Sequence, residues 1–170
     1  MQTNFIKDKY KFKKFSKEQR SSFKYWYYHW KAFNLTAYHL GHWRFKYLFH
    51  DIEKPWLMLF WKDYNRVQKW HRTHNNHHVE YNGTWDPYAM IIDWECSRFT
   101  KKDAPMDAWQ TLQKMMNVSK SSGREYTRKL YENLADALYD LKLISMVDVI
   151  ILHDNILFDC IENPQLEYDV

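Results

Sequence analysis

The sequence predicts an all-α protein, a single helical bundle of about six or seven helices. Three observations lead there. Only 3 of the 170 residues are glycine, too few for a chain of tight hairpins. Apolar residues recur at spacings of three and four over long stretches, the period of one helix face. No stretch alternates apolar and polar residues in the manner of a half-buried strand. A hydrophobic share of 45% is enough to build the core of one domain at this length.

The elements follow in chain order. Residues 1–16 form a basic and aromatic arm that includes Phe5, Lys7, Lys9, Tyr10, Phe12 and Phe15. That mixture suits contact with phosphates or nucleic acid, or aromatic packing on the body of the protein. Ser16 with Gln19 three residues later reads as a capping box, opening a first helix from Lys17 to near His39. Gly41 interrupts it, and a second helix runs from His42 to about His50. Pro55 suits the first turn of a third helix, which continues through Trp70 to about His74 before Asn75 and Asn76 weaken it. Asn82, Gly83 and Thr84 mark a loop. Asp86 and Pro87 are an N-cap and first-turn pair that starts a helix reaching Phe99. After a break over 100–105, a short helix spans Met106 to Asn117 and a turn spans Ser119 to Gly123. From Arg124 to Leu141, leucines at 130, 134, 138 and 141 give an amphipathic helix. A more apolar helix from Leu143 to Phe158 closes a domain taken as residues 17–162, and the tail 163–170 is acidic.

Composition excludes several functions. So few glycines argue against Gly-rich phosphate loops and dinucleotide-binding fingerprints. Two cysteines, Cys96 and Cys160, make neither a disulfide framework nor a zinc-finger spacing. With a basic N-terminus that lacks an apolar leader, a cytoplasmic location is expected. The longest apolar run, Leu143 to Leu152, is broken by Asp148 and falls short of the roughly 20 residues that span a bilayer, so no membrane partner is expected. The net charge of +4 hides an asymmetry: residues 1–85 hold 16 Lys+Arg against 6 Asp+Glu, a net of +10, and the remainder is net −6. Eight of the 9 histidines fall in the basic half.

Within that half, the pair His50-Asp51 carries the chemistry. Neighbours on a helix point about 100° apart, so a His-Asp pair there can straddle one metal ion. The imidazole offers a neutral nitrogen and the carboxylate a charged oxygen able to bridge two ions. Its company is what matters: His29 upstream, Lys54 three residues on, then His71, His74, His77 and His78, and finally Asp93. Helical spacing puts Met90, Asp93 and Ser97 on one face, so Asp93 is expected to point inward, where a carboxylate needs a partner such as a metal or an arginine. His39 and His42 have no such company and read as structural or supporting, and His153-Asp154 reads as incidental.

This ordered set resembles the HD-domain superfamily of metal-dependent phosphohydrolases, whose pattern is a His, an adjacent His-Asp and a later Asp on helices of an all-α fold. His50 to Lys54 is similar to the His-Asp-x-Gly-Lys run of the HD-GYP phosphodiesterases, with Glu53 in place of the glycine. His77-His78-Val79-Glu80 is similar to their His-His-Glu segment with one residue inserted. The GYP portion is absent. The set also resembles an uncharacterised phage and bacterial HD-like group, through His29, His50-Asp51 with Lys54, the run Asn75 to Tyr81, and Asp93-Trp94; the likeness covers roughly Trp26 to Phe99.

The resemblance implies one or two divalent ions, Mn, Fe, Zn or Co, with Mg also suitable. It places His29, His50, Asp51 and Asp93 on the first ion, and His74 with His77 or His78 on a second, Asp51 bridging and His71 competing with His74. Lys54 is then expected to neutralise phosphoryl charge, and Glu80 or Glu53 to orient the attacking water or a ligating His. Arg72 and Arg44 are candidate phosphate clamps and Tyr81 a stacking surface. The expected activity is hydrolysis of a nucleotide or related phosphoester by a metal-activated water. Two other classes fit the same residues: a di-iron oxygenase on an HD fold, and a non-enzymatic, metal-stabilised binding protein, phage-encoded and acting in the host cytoplasm.

Overall fold

Helix α5 (Pro87–Thr100) is buried on nearly every side, and the other elements are arranged around it. The structure, a computed structural model, describes residues 4–103, 106–122 and 128–162. Among these residues the elements are α1 (Asn4–Tyr10), α2 (Phe23–His39), α3 (Glu53–Phe60), α4 (Tyr64–His74), α5, α6 (Ala108–Ser122), α7 (Arg128–Asp140) and α8 (Met146–Glu162). Short 3₁₀ turns cover Lys17–Ser21 and Phe45–Phe49, and no strand is present among the described residues beyond one isolated bridge, Phe15 to Lys101. The fold is all-α, with slightly more helices than the six or seven expected. The acidic tail 163–170 lies outside the described residues, as does the stretch 123–127.

The extra breaks have local causes. The helix expected from Lys17 is cut at Ser22, whose hydroxyl accepts from the Tyr25 N–H at 3.2 Å and caps α2. Ser16 and Gln19 do interact, through the Gln19 side chain and the Ser16 N–H at 3.0 Å, but they stabilise only the 3₁₀ turn. The expected helix from His42 to His50 is the single turn Phe45–Phe49. The expected helix from Pro55 to His74 divides at residues 61–63, where the Asp63 carboxylate accepts from Asn65 N–H at 2.9 Å and caps α4. Asp86 caps α5 as expected, accepting from the Ala89 N–H at 3.2 Å with Pro87 in the first turn.

Helix α5 packs against α2, α6 and α7, and α7 against α8. From α2 it receives Ala32, Phe33 and Ala37, all fully buried, where small residues let the two helices approach closely. The leucines of α7, Leu130, Leu134 and Leu138, are buried as one stripe, as their spacing predicts. Glu95 is buried on α5, where its carboxylate accepts from the Ala108 N–H at 3.0 Å and so anchors the start of α6. The segment read as a basic arm is tied down: Ile6 is fully buried, Phe12 stacks on Phe99, and the Phe15 N–H donates to the Thr100 carbonyl at 2.8 Å. No helix among the described residues is long and apolar enough to cross a membrane.

Leu134 is fully buried where α7 meets α5. Leu134→Ala is expected to cost about 2–5 kcal/mol, read as a lower denaturant midpoint with unchanged slope.

Candidate metal centre

His50 and Asp51 do not lie on a helix. His50 ends the 3₁₀ turn, and Asp51 follows with φ of 58°, in the left-handed region that aspartate tolerates better than most side chains. The two adjacent side chains are brought onto one centre by this reversal and not, as expected, by successive positions of a helix. Helix α2 fixes the turn from below. The Trp30 indole N–H donates to the Leu48 carbonyl at 2.9 Å, and the Asn34 amide donates to the Tyr47 carbonyl at 3.1 Å. The His50 ring lies flat on Phe33, centroids 3.6 Å apart and planes at 6°.

Asp51 is the hub of the cluster. The Nε2 atoms of His71 and His77 each stand 3.2 Å from its Oδ1, and that of His50 stands 3.5 Å away. Lys54 Nζ donates to the other oxygen, Oδ2, at 2.5 Å, and His29 Nε2 lies 3.7 Å from it. Asp93 joins from α5, its Oδ1 2.8 Å from His29 Nε2 and 3.6 Å from His50 Nε2. His78 Nε2 sits 2.7 Å from His71 Nε2. Further out, Glu53 binds His71 Nδ1, and Asn75 bridges the two by donating to Glu53 at 3.1 Å. Thr100 Oγ1 lies 3.4 Å from His29 Nδ1.

The donor set fits a divalent cation. His50 Nε2, His77 Nε2 and Asp51 Oδ1 are buried and, among the described residues, none has a hydrogen-bond partner. His77 Nε2 and His50 Nε2 therefore stand 3.2 and 3.5 Å from the Asp51 oxygen without an aligned hydrogen bond to it. Buried polar atoms are seldom left in that condition, and a shared cation satisfies all three at once. The triplets His71–His77–His78, His29–His50–Asp51 and Asp51–Glu53–His71 each have atoms close enough to share an ion. Charges agree with this. Burial, only partly offset by Asp51, pushes His50 down to about 4. Burial, aided by Lys54, holds His71 well below its ordinary value, and burial with the neighbouring His77 does the same to His78. These three imidazoles are neutral at pH 7, as ligands must be. Burial works against the Asp51 and Asp93 carboxylates, but His50, Lys54 and His71 around the first, and His29 and His50 around the second, outweigh it and keep both ionised.

His29, His50, Asp51, His77, His78 and Asp93 are thus brought together. His74 is not: it is exposed, with Nδ1 bonded to the Trp70 carbonyl at 2.8 Å and its ring stacked on Trp70. Its place is taken by His71, which is buried with Val67 on α4, whereas His74 ends the helix one turn further on, beyond the buried part of that face. Lys54 is committed to Asp51, and Glu53 orients His71. Arg44 lies elsewhere, over the Tyr88 ring, and Tyr81 lies over Gly83, where a Cβ would come within 2.7 Å of its ring. Glu80 is exposed and pairs loosely with Arg72 at 3.5 Å, both on the rim of a cleft. That cleft, about 390 Å³, runs between α5 and α6 and reaches Asp93 and His78 at its floor. A smaller hollow of about 150 Å³ opens onto His50, Asp51 and His77 from the other side. Two residues near the centre carried no sequence signal beyond their spacing from Asp93. Cys96 lies 3.9 Å from His29 Nδ1, its thiol pushed well up by burial, and Lys101 lines the cleft.

In comparisons with known proteins, no family model, no curated protein and no solved structure matches this chain.

Protein grown with Mn, Zn or Fe should retain divalent metal through gel filtration, measured by elemental mass spectrometry. His74→Ala should match the wild-type metal content, whereas His71→Ala and Asp51→Asn should lose most of it. A His74→Ala protein as depleted as His71→Ala would sink this placement of ligands.

Proposed function

We propose that this chain is a metal-dependent phosphohydrolase of HD type, acting on a nucleotide or a related small phosphoester. The observation that carries the reading is the set of unpartnered buried lone pairs around Asp51, with the linked carboxylate of Asp93 at the floor of an open cleft. Arg72, Lys101 and Lys114 line that cleft, so the approach to the cluster is cationic and suited to a phosphate-bearing molecule. The order of His29, His50-Asp51 and Asp93 along the chain supports the same class.

The residues divide the work. A divalent ion bound here supplies a water that is acidic near neutral pH and a positive charge for phosphoryl oxygens. Asp51 turns Oδ1 to the histidines while Lys54 compensates Oδ2, so one carboxylate serves several ligands without unbalanced charge. Glu53 accepts a hydrogen bond from His71 Nδ1–H, a tautomer that leaves the lone pair on Nε2 directed at the centre. Thr100 offers the same service to His29 through Nδ1. Phe33 holds the His50 ring in place and keeps water from its far face. Lys54 accordingly acts on Asp51 as a positioning residue; phosphate contact falls to the cations of the cleft.

A panel of nucleoside mono-, di- and triphosphates and cyclic nucleotides, assayed with Mn, Mg, Co, Zn and Fe, tests the reading. Turnover of at least one ester is expected, abolished in Asp51→Asn and lowered about 10–100-fold in Glu53→Gln. Tightly bound iron with a near-ultraviolet charge-transfer band and no turnover of any phosphoester would instead point to oxygen chemistry. Hydrolysis unchanged in Asp51→Asn would place the active site elsewhere.

A further inference from the structure

We propose that Lys101 and Ser97 form an oxyanion subsite, beside the metal centre and distinct from it, that holds the phosphate group of a small ester. Asp93, Ser97 and Lys101 follow one another at steps of four residues, so they rise along a single face of α5 from the cluster floor to the cleft wall. Lys101 closes the helix and its ammonium turns back to Ser97, donating to the hydroxyl at 2.7 Å. An ammonium has three donors, and here a neutral hydroxyl takes one. Among the described residues Lys101 forms no ion pair within 4 Å, although Asp93 acts on it through space. A half-buried cation that touches no carboxylate among the described residues, held by a hydroxyl that can itself donate to an anion, is a site with donors left for an acceptor.

The surroundings specify what kind of anion. Lys114 and Arg72 line the same cleft, and among the described residues Arg72 pairs with exposed Glu80 through a loose contact. Trp94 and Met115 make part of the wall apolar. A volume of about 390 Å³ lies at the small end of ligand pockets and has room for a small phosphate ester. The ligand class is therefore a small oxyanion ester with an apolar or aromatic organic part. That its oxyanion is the group hydrolysed rests on the phosphohydrolase reading; the affinity for an oxyanion does not.

Calorimetric titration of the metal-containing protein with inorganic phosphate tests the subsite directly. Lys101→Met should weaken phosphate binding about tenfold or more, and Lys101→Arg should restore most of it. Lys69→Met, which removes an exposed lysine outside the cleft, should bind as the wild type does. Metal content measured on the same samples separates loss of the subsite from loss of the cluster. Equal phosphate affinity in Lys101→Met and wild type overturns the proposal. If Lys101→Met fails to fold or to retain metal, Ser97→Ala and Lys114→Met decide, and wild-type affinity in both overturns it. Lys101-dependent phosphate binding in a protein that hydrolyses no ester sinks the hydrolase reading alone. Hydrolysis with an unchanged KM in Lys101→Met sinks the subsite alone.

Discussion

A carboxylate oxygen buried among three imidazole nitrogens is costly in a protein interior unless its charge and lone pairs are answered. In this chain the Asp51 carboxylate has His71 and His77 at 3.2 Å and His50 at 3.5 Å from one oxygen, and the Lys54 ammonium on the other. Lys54 offsets the formal charge, but it cannot supply a partner for the nitrogens. A shared metal ion would do both, and the protonation of the cluster is suited to one: neutral imidazoles at His50, His71 and His78, ionised carboxylates at Asp51 and Asp93.

The fold can be read as the support for that cluster. Helices α2 and α5 pack closely through alanines and aromatics, which sets His29 opposite Asp93. The 3₁₀ turn hydrogen-bonded to α2 delivers His50 and Asp51, and the left-handed backbone at Asp51 redirects the chain into α3, where Glu53 reaches His71 on α4. The loop after α4 is closed at its base by the Asp86 N–H and the Asn76 carbonyl at 2.8 Å, which holds His77 and His78 over the centre. Strain at Asp51 and buried polarity at six or more ligand-type residues oppose folding, and the apolar contacts of α5 with α2, α6 and α7 offset them. The same architecture leaves a cleft along α5 that reaches Asp93 and His78, and a smaller hollow at His50, Asp51 and His77.

Much of this was legible from residue order. The helical period placed the leucine stripe of α7 on its buried face, and Asp86-Pro87 fixed the start of α5 because capping is a local interaction. Asp93 could be read as inward-facing because helical spacing alone assigns a face. His74 shows where such reading stops. His71 and His74 are three residues apart on α4 and share one face, so spacing alone does not say which of the two meets the Asp51 turn. Contact between α4 and the Asp51 turn chose His71, and Trp70 took His74 to the surface. The Lys17–Ser21 and Asp63 breaks were likewise decided by short side-chain caps that compete with a continuing helix on nearly equal terms.

The sequence by itself determined the helical class, the stretch in which the histidines gather, and the inward face of Asp93, since periodicity and capping act within a few residues. Only the tertiary structure decided which imidazoles converge on Asp51, that His50-Asp51 turns instead of continuing a helix, and that Lys101 faces a cleft. Those outcomes depend on contacts between residues far apart in the chain, such as His29 with Asp93 and Glu53 with His71, and no local spacing encodes where two helices will touch.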